Sequence, residues 1–300
     1  MVIMTIDFAT RFHRHTSCRS SLTSEYSDER VWRNRHSRDR ERTITEAYVG
    51  IDVSFTKTKR LPVCVATKLD GRLTPFPLKE LPVKPPTGAG NRGALSDEKI
   101  LEFAKNAAEY LVDVSELLGV KIRRIALDAP RQYKHELEKW RACEGAMYER
   151  NISCFATPSE TEFDRIIAKA STHLNEGKPL SRLPHANQMW MRVGFALFAE
   201  LQQYECLEVF PQATVKLLCP DAGYKTQQAG LLAQSRAVSA ITGWPDSPSW
   251  LDDIAYGSRH DKLDAYLCAW IASMDEVDRE PLGELPNDVI WVPRLPHATS

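Results

Sequence analysis

The segment 48–54, YVGIDVS, constrains the fold most, because it places one carboxylate, Asp52, inside a run of strand-forming apolar residues. Taking an ionised carboxylate out of water is costly unless a cation or hydrogen-bond donors replace the lost hydration. Asp52 therefore lies either at a strand end among donors or in a site that holds a metal ion. The remainder of the chain has to be consistent with one of these environments.

The order of the predicted elements is typical of an α/β protein built on a mixed sheet. Three predicted strands follow one another, and Asp70-Gly71 between the second and third is a hairpin turn signal. Helices then alternate with two further strands, which favours a sheet with helices on its faces. The predicted strands are those at 47–55, 61–69, 73–83, 121–128 and 206–210. The predicted helices cover residues 97–118, most of 132–203, 212–219, 227–241 and 260–274.

Composition divides the chain into an arm, one domain and a tail. Residues 1–45 contain nine Arg, no Lys and six acids, with few aliphatic side chains. Such a segment buries too little apolar area to offset the entropy of ordering, so we expect a disordered Arg/Ser-rich arm. Nothing within 46–276 resembles a linker, so we expect a single domain in which 132–203 is a helical insertion. Residues 277–300 are assigned to a C-terminal tail.

Charge and cysteine content exclude several classes of protein. After residue 45 the chain carries thirty Lys and Arg against thirty-four Asp and Glu, unlike a protein that coats duplex nucleic acid with a basic surface. The seven cysteines have no CxxC spacing, which disfavours a zinc ribbon and indicates reduced thiols in a soluble, cytoplasmic protein. No apolar run approaches the ~18 residues of a membrane span, so we expect no membrane partner.

Carboxylates end three predicted strands and begin the last predicted helix. Asp52, Asp128 and Glu208 end strands, while Asp261 and Asp264 share one face of the helix. Each acid alone is explained by capping a turn or a helix. As a set they converge on one crevice, where like charges repel unless a cation lies between them. Oxygen ligands without a His or Cys cluster suit Mg²⁺ or Mn²⁺, and two such ions can hydrolyse a phosphodiester.

The segments that carry these acids resemble the motif series of the domain-of-unknown-function family 429, over about residues 47–275. They are VGID at 49–52, IALDAP at 125–130, LEVFP at 207–211 and HDKLDA at 260–265. That family is regarded as predicted nucleases, so the resemblance implies a ribonuclease H-like fold. The expected structure is a mixed five-stranded sheet with helices on both faces and a helical insertion. The final Asp-x-x-Asp also resembles the last motif of Holliday-junction resolvases in the same superfamily.

Carried over position by position, the resemblance implies a two-metal site. Asp52 is expected to bridge the two ions, which are Mg²⁺ or Mn²⁺. The other implied ligands are Asp128, Glu208 and Asp264, with Asp261 as an alternate or outer ligand. The implied partner is nucleic acid, either DNA or RNA.

Four basic residues follow the same motif pattern and are candidates for binding substrate phosphates. They are Arg131, Arg141, Lys225 and Arg236. Cations near the metals would contact phosphate oxygens, whereas the alternative is a solvated surface whose ion pairs stabilise little. His260 is a candidate general base, but two-metal hydrolysis needs no base from the protein, so we interpret it as a helix-start residue.

Three functions are compatible with this pattern. The carboxylate set favours a metal-dependent nuclease. A catalytically silent ribonuclease H-like interaction module would keep the same acids for the fold alone. A sugar-kinase or actin-like ATPase begins with a similar Gly-Ile-Asp strand, but the predicted hairpin at 54–59 has no glycine that a phosphate can approach. We therefore expect a nuclease.

Overall fold

The predicted strands form one mixed five-stranded sheet. The computed structural model describes residues 46–244 and 248–294, so the arm predicted at 1–45 lies outside the described residues. The strands are β1 (Glu46–Asp52), β2 (Val63–Leu69), β3 (Arg72–Pro75), β4 (Lys121–Asp128) and β5 (Glu205–Glu208). Their order across the sheet is β3-β2-β1-β4-β5. The architecture is α/β and is consistent with the expected ribonuclease H-like fold.

Strand directions bring three carboxyl ends to the same edge of the sheet. β1 pairs antiparallel with β2, and β2 with β3, whereas β4 runs parallel to both β1 and β5. In this register Asp52 lies opposite Asp128, and Leu127 lies opposite Glu208. Because parallel strands end at the same edge, the acids that end β1, β4 and β5 all lie there.

The first hairpin turns where the sequence predicts, but its second strand is shorter than predicted. Asp70 and Gly71 have φ values of 50° and 77°, the positive values that a type I′ turn requires. β3 ends at Pro75 and does not continue to residue 83, because Pro75 and Pro77 have no N–H to donate to a neighbouring strand. A 3₁₀ turn at Leu78–Glu80 follows.

Helices cover the sheet, and several of them form the insertion between β4 and β5. The longer helices are α1 (Asp97–Leu118), α2 (Ala142–Glu149), α3 (Glu160–Asn175), α4 (Met191–Glu200), α5 (Pro211–Leu218), α6 (Gln228–Thr242) and α7 (Arg259–Ser273). Single helical turns lie at Gly90–Gly93, Ala186–Met189 and Leu251–Ile254. α1 has the predicted ends: the Ser96 hydroxyl accepts a hydrogen bond from the backbone of Lys99, and Gly119 is left-handed with φ 63°.

Alternation along β1 directs its side chains to helices on both faces. Ala47, Val49 and Ile51 are fully buried in a cluster with the apolar residues of α1 and α4. The intervening Tyr48 packs on the opposite face, against clusters that contain the buried residues of α7. The predicted arrangement of helices on both faces of the sheet is confirmed.

Gly50 allows α7 to lie directly against β1. A Cβ built at this position would overlap the carbonyl oxygen of Ala265 and the backbone nitrogen of Ala269. A residue with a side chain would therefore force helix and strand apart. Asp52 lies two residues beyond Gly50, and Asp264 directly precedes Ala265, so this close approach sets the separation of the two acids.

The segment assigned to a C-terminal tail contains a second, two-stranded sheet. β6 (Arg279–Glu284) and β7 (Asp288–Pro293) pair antiparallel. Leu282, Ile290 and Val292 are buried in a cluster with residues of α2. The apolar run at 289–292 is the signal for this hairpin in the sequence.

Disulfides and membrane-spanning helices are both absent from the part of the chain that the structure describes. The six cysteines that lie in the described residues are free, and four of them are buried. Within residues 46–244 and 248–294, no helix is long and apolar enough to cross a membrane.

Candidate metal centre

Three carboxylates from two strands and one helix meet at the carboxyl edge of the sheet. Asp52 ends β1, Asp128 ends β4, and Asp264 lies in the second turn of α7. One oxygen of each lies within 4.8 Å of those of the other two. Asp264 is buried, whereas Asp52 and Asp128 are half-buried. We call these three residues the aspartate triad.

Burial raises the pKa of each carboxyl in the triad, and repulsion within the triad adds to this effect at Asp52 and Asp128. The pKa of Asp128 rises to about 7, first because of burial and then because of the charge of Asp264, with a further effect of Glu208. Burial and the charges of Asp264 and Asp128 raise the pKa of Asp52 well above its ordinary value. Burial also raises the pKa of Asp264. A bound cation would offset this repulsion and favour the ionised form of all three groups.

One lysine supplies positive charge to the triad. The ammonium of Lys225, from the loop between α5 and α6, forms an ion pair and a hydrogen bond with Oδ2 of Asp264. Burial lowers the pKa of Lys225, but the charges of Asp264, Asp128 and Asp52 raise it above its ordinary value. Lys225 is therefore charged, and it balances one of the three carboxylates when all of them are ionised.

The second oxygen of Asp264 makes the triad suitable for a divalent cation. Oδ1 of Asp264 is buried and has no hydrogen-bond partner among the described residues. A buried acceptor in that state costs about 1–3 kcal/mol. Hard carboxylate oxygens are the ligands that Mg²⁺ and Mn²⁺ take, with water completing the coordination. The donor atoms of the triad fit such an ion.

Glu208, the fourth predicted ligand, is held by an arginine. Its carboxylate accepts two hydrogen bonds from the guanidinium of Arg141, both at 2.8 Å, and one at 2.8 Å from the backbone nitrogen of Arg131. Arg141 and Glu208 are both almost fully buried. Burial raises the pKa of Glu208 although Arg141 acts to lower it. The structure does not bring this carboxylate into the triad, and its role as a metal ligand stays a prediction.

Asp261, the predicted outer ligand, caps the helix that carries Asp264. Its Oδ2 accepts a hydrogen bond of 2.8 Å from the backbone of Ser258 and lies 3.5 Å from the ammonium of Lys59. Burial would raise the pKa of Asp261, but the hydrogen bonds with Ser258 lower it. His260 contacts Asp261 at 3.1 Å and the Ser258 hydroxyl at 3.0 Å, as a helix-start residue does. A metal contact of Asp261 stays a prediction.

The four predicted phosphate-binding residues lie in different environments. Lys225 and Arg141 make the contacts given above. The guanidinium of Arg131 lies over the ring of Phe198, 5.4 Å from its centroid. Arg236 is exposed on α6. Of these four, Lys225 is the residue that the structure brings to the aspartates.

A cavity of about 210 Å³ lies beside Asp128, and no motif in the sequence predicts it. We call it the Phe155 cavity. Its apolar lining includes Met147, Phe155, Trp190 and Met191. Its polar lining comprises Asp128, Arg141, Glu144, Thr157, Asn187 and Glu208. Asp128, Arg141 and Glu208 follow the family motifs, but the aromatic residues Phe155 and Trp190 lie outside them, so only the folded structure brings the whole set together.

Comparison with known proteins identifies a family. The model of the family described as "Protein of unknown function (DUF429)" matches residues 50–286, which cover most of the sheet, the insertion and the aspartate triad. The search of curated proteins finds no match to the chain. The search of solved structures finds none either.

Proposed function

The chain belongs to the DUF429 family, whose function is unknown, and we propose that it is a metal-dependent nuclease. In this proposal the aspartate triad binds Mg²⁺ or Mn²⁺, and the protein hydrolyses phosphodiester bonds in nucleic acid. The observation that carries the proposal is the buried, unpartnered Oδ1 of Asp264 beside two more carboxylates within 4.8 Å. Three acids at this separation are costly to keep ionised without a cation.

In the proposed reaction the aspartate triad binds the metal and Lys225 contacts the substrate. Divalent ions at such a site lower the pKa of a bound water and stabilise the leaving oxygen. Strand register positions the proposed ligands Asp52 and Asp128, and the packing of α7 on β1 positions Asp264. Lys225 is close enough to contact a phosphate oxygen beside the triad. We propose that its ammonium leaves Asp264 for the substrate when a metal ion binds.

A second metal ion needs ligands beyond the triad, and Glu208 is the candidate. It ends the strand next to β4, and its charge contributes to the raised pKa of Asp128. Its carboxylate lies outside the group of oxygens within 4.8 Å of one another, so it would have to move relative to Arg141 to share an ion with the triad. The two-metal form of the proposal therefore includes a movement of this ion pair.

One observation favours a second candidate, a catalytically silent interaction module. Lys225 already neutralises part of the triad, as a purely structural ion pair would. That candidate predicts no binding of a divalent ion. Calorimetric titration of the protein with Mn²⁺ separates the two candidates, because the nuclease proposal requires binding that is lost when Asp264 is replaced by Asn.

Cleavage assays test the nuclease proposal directly. The full chain is incubated with labelled single-stranded DNA, duplex DNA, RNA and a branched junction, in Mg²⁺, Mn²⁺ or EDTA. We expect cleavage that requires the metal and falls at least about 100-fold in Asp52→Asn, because a ligand of the ion is lost.

The matched control is Asp113→Asn, which makes the same chemical change at an exposed position of α1. It should cleave at the wild-type rate. The proposal fails if no substrate is cleaved with either metal, or if Asp52→Asn is as active as Asp113→Asn.

A further inference from the structure

We infer that the Phe155 cavity binds the base of an unpaired nucleotide whose phosphate lies at the aspartate triad. This inference rests on the proposed nuclease function and identifies its substrate class, namely nucleic acid with unpaired, amino-bearing bases. Asp128 belongs both to the triad and to the lining of the cavity. A ligand in the cavity therefore lies directly beside the proposed metal site.

The apolar wall of the cavity suits a flat ring. Phe155 lines the cavity and yet leaves 66% of its own surface exposed. Trp190 lines it too, and its indole N–H donates to the side-chain oxygen of Asn91 at 3.0 Å, which fixes the ring. Aromatic side chains stack on nucleobases of any sequence. A volume of about 210 Å³ is several times the ~30 Å³ that one water occupies in the liquid, so a ring system fits.

The basic group of the cavity is already engaged by acids. The guanidinium of Arg141 donates from Nε to Asp288 at 3.0 Å, and from Nη1 and Nη2 to Glu208 at 2.8 Å. Its charge is therefore balanced within the protein. Asp128 and Glu144 also line the cavity and would repel an anion. The cavity consequently favours a neutral ligand over a phosphate or a carboxylate.

The acids of the cavity have capacity to accept further hydrogen bonds. Glu144 accepts one bond from the backbone of Arg141 at 3.2 Å and one from the backbone of Thr157 at 2.7 Å. Glu208 accepts the three described above. A carboxylate accepts about four in total, so both retain lone pairs. They match the exocyclic amines of adenine, cytosine and guanine, whereas thymine and uracil present carbonyl oxygens in the equivalent positions.

A base can enter the cavity only if it is outside a duplex stack. Extruding a paired base costs a few kcal/mol, and an unpaired base avoids most of that cost. Single strands, loops and branch points are therefore the substrates that the Phe155 cavity favours. Blunt duplexes without unpaired nucleotides are disfavoured.

Binding measured without cleavage tests the inference. A short single-stranded oligonucleotide that contains 2-aminopurine, a fluorescent base with an exocyclic amine, is titrated with the full chain in EDTA. Phe155→Ala should weaken binding roughly 5- to 150-fold, which corresponds to about 1–3 kcal/mol of stacking on one aromatic ring.

Tyr148→Ala is the matched control, since Tyr148 is an exposed aromatic residue of α2 that does not line the cavity. It should bind like the wild type, and unlabelled oligonucleotides of adenine or cytosine should compete better than those of uracil.

Equal binding by Phe155→Ala and Tyr148→Ala, or equal competition by all bases, overturns the inference. Cleavage of duplex and single strands at one rate, unchanged by Phe155→Ala, overturns it and leaves the nuclease proposal standing. Phe155-dependent binding without cleavage of any substrate supports the base site and removes the nuclease proposal.

Discussion

At the scale of single residues, the raised pKa values of the triad determine how stability depends on pH. An aspartate in an unfolded chain titrates near ~3.9, whereas Asp128 in the folded protein has a pKa of about 7. Between these values the folded state binds more protons than the unfolded state, so stability falls as the pH rises through that window. The raised pKa values of Asp52 and Asp264 act in the same direction.

We expect the metal-free protein to lose less stability between pH 4 and pH 7 when Asp128 is replaced by Asn. The reason is that the variant no longer has to deprotonate this buried group in the folded state. In the proposed site Mn²⁺ would bind the ionised triad, so its stabilising effect on the wild type should grow over the same range. Urea unfolding at constant ionic strength, in EDTA and in Mn²⁺, measures both effects.

The measured range stops at pH 4 because other acids act in the opposite direction at lower pH. Glu136, for example, has a pKa lowered to about 2 by hydrogen bonds from Thr161 and Ser159, so its contribution is lost only as the pH falls toward that value. Asp113→Asn should follow the wild type throughout. Parallel curves for the wild type and Asp128→Asn from pH 4 to pH 7 would contradict the expectation.

Single residues also show where sequence reasoning succeeds and where it stops. Asp52 and Asp128 end adjacent parallel strands, and the strand pattern alone predicts that they meet. Glu208 has the same local pattern, yet its carboxylate is bound by Arg141, 67 residues earlier in the chain. The residues around Glu208 do not predict which cationic side chain pairs with it. The pairing depends on how the insertion packs against the sheet.

At the scale of elements, the contact between β1 and α7 connects packing with the candidate site. We expect Gly50→Ala to destabilise the protein by about 1–3 kcal/mol or more, since the new methyl group meets backbone atoms that cannot move independently. It should also weaken Mn²⁺ binding, because displacing α7 moves Asp264 away from Asp52. Thermal unfolding and calorimetric Mn²⁺ titration measure the two effects.

Gly145→Ala provides the matched control for this substitution. Gly145 lies within α2, and a Cβ there would have no neighbour within 4 Å. The change should stabilise the helix by roughly 0.5–1 kcal/mol and leave Mn²⁺ binding unaltered. If Gly50→Ala keeps both wild-type stability and wild-type affinity, α7 does not set the geometry of the triad in the way that we describe.

The elements themselves were predictable to different degrees for physical reasons. The strands of the sheet are short apolar runs between turn residues, and α1 has both a Ser N-cap and a Gly C-cap. The third strand is shorter than its apolar residues predict, because Pro77, which follows the last backbone donor Phe76, has no N–H to offer to β2. Residues 285–288 at the junction of β6 and β7 read LPND, which is typical of a turn, and the buried side chains of the hairpin share a cluster with residues of α2 and α5.

At the scale of the whole molecule, one buried ion-pair network joins the insertion, the sheet and the C-terminal hairpin. Arg141 precedes α2, Glu208 ends β5, and Asp288 begins β7. Asp288 accepts hydrogen bonds from Nε of Arg141 at 3.0 Å and from the backbone of Ala142 at 2.6 Å. The C-terminal segment is therefore part of the structure that positions Arg141 beside the Phe155 cavity.

We expect Asp288→Ala to destabilise the protein by about 1–3 kcal/mol, because it leaves donors of a buried arginine unpaired. Binding of the 2-aminopurine oligonucleotide should weaken as well, since Arg141 loses one of the two acids that orient it. Urea unfolding and the fluorescence titration measure these effects. Glu284→Ala, an exposed position opposite Asp288 in the same hairpin, should change neither quantity. Equal behaviour of the two variants would show that the hairpin does not support the cavity.

In the proposed enzyme, the ion pair between Lys225 and Asp264 allows the chain to fold before a metal ion binds. A newly made chain brings three acids together as it folds, and its own ammonium group meets them there. The proposed enzyme can therefore reach its final shape while divalent ions are scarce and acquire them afterwards. Binding of a divalent ion would then replace the single positive charge of Lys225 beside Asp264 with two. The released ammonium of Lys225 would be free to contact an anionic substrate.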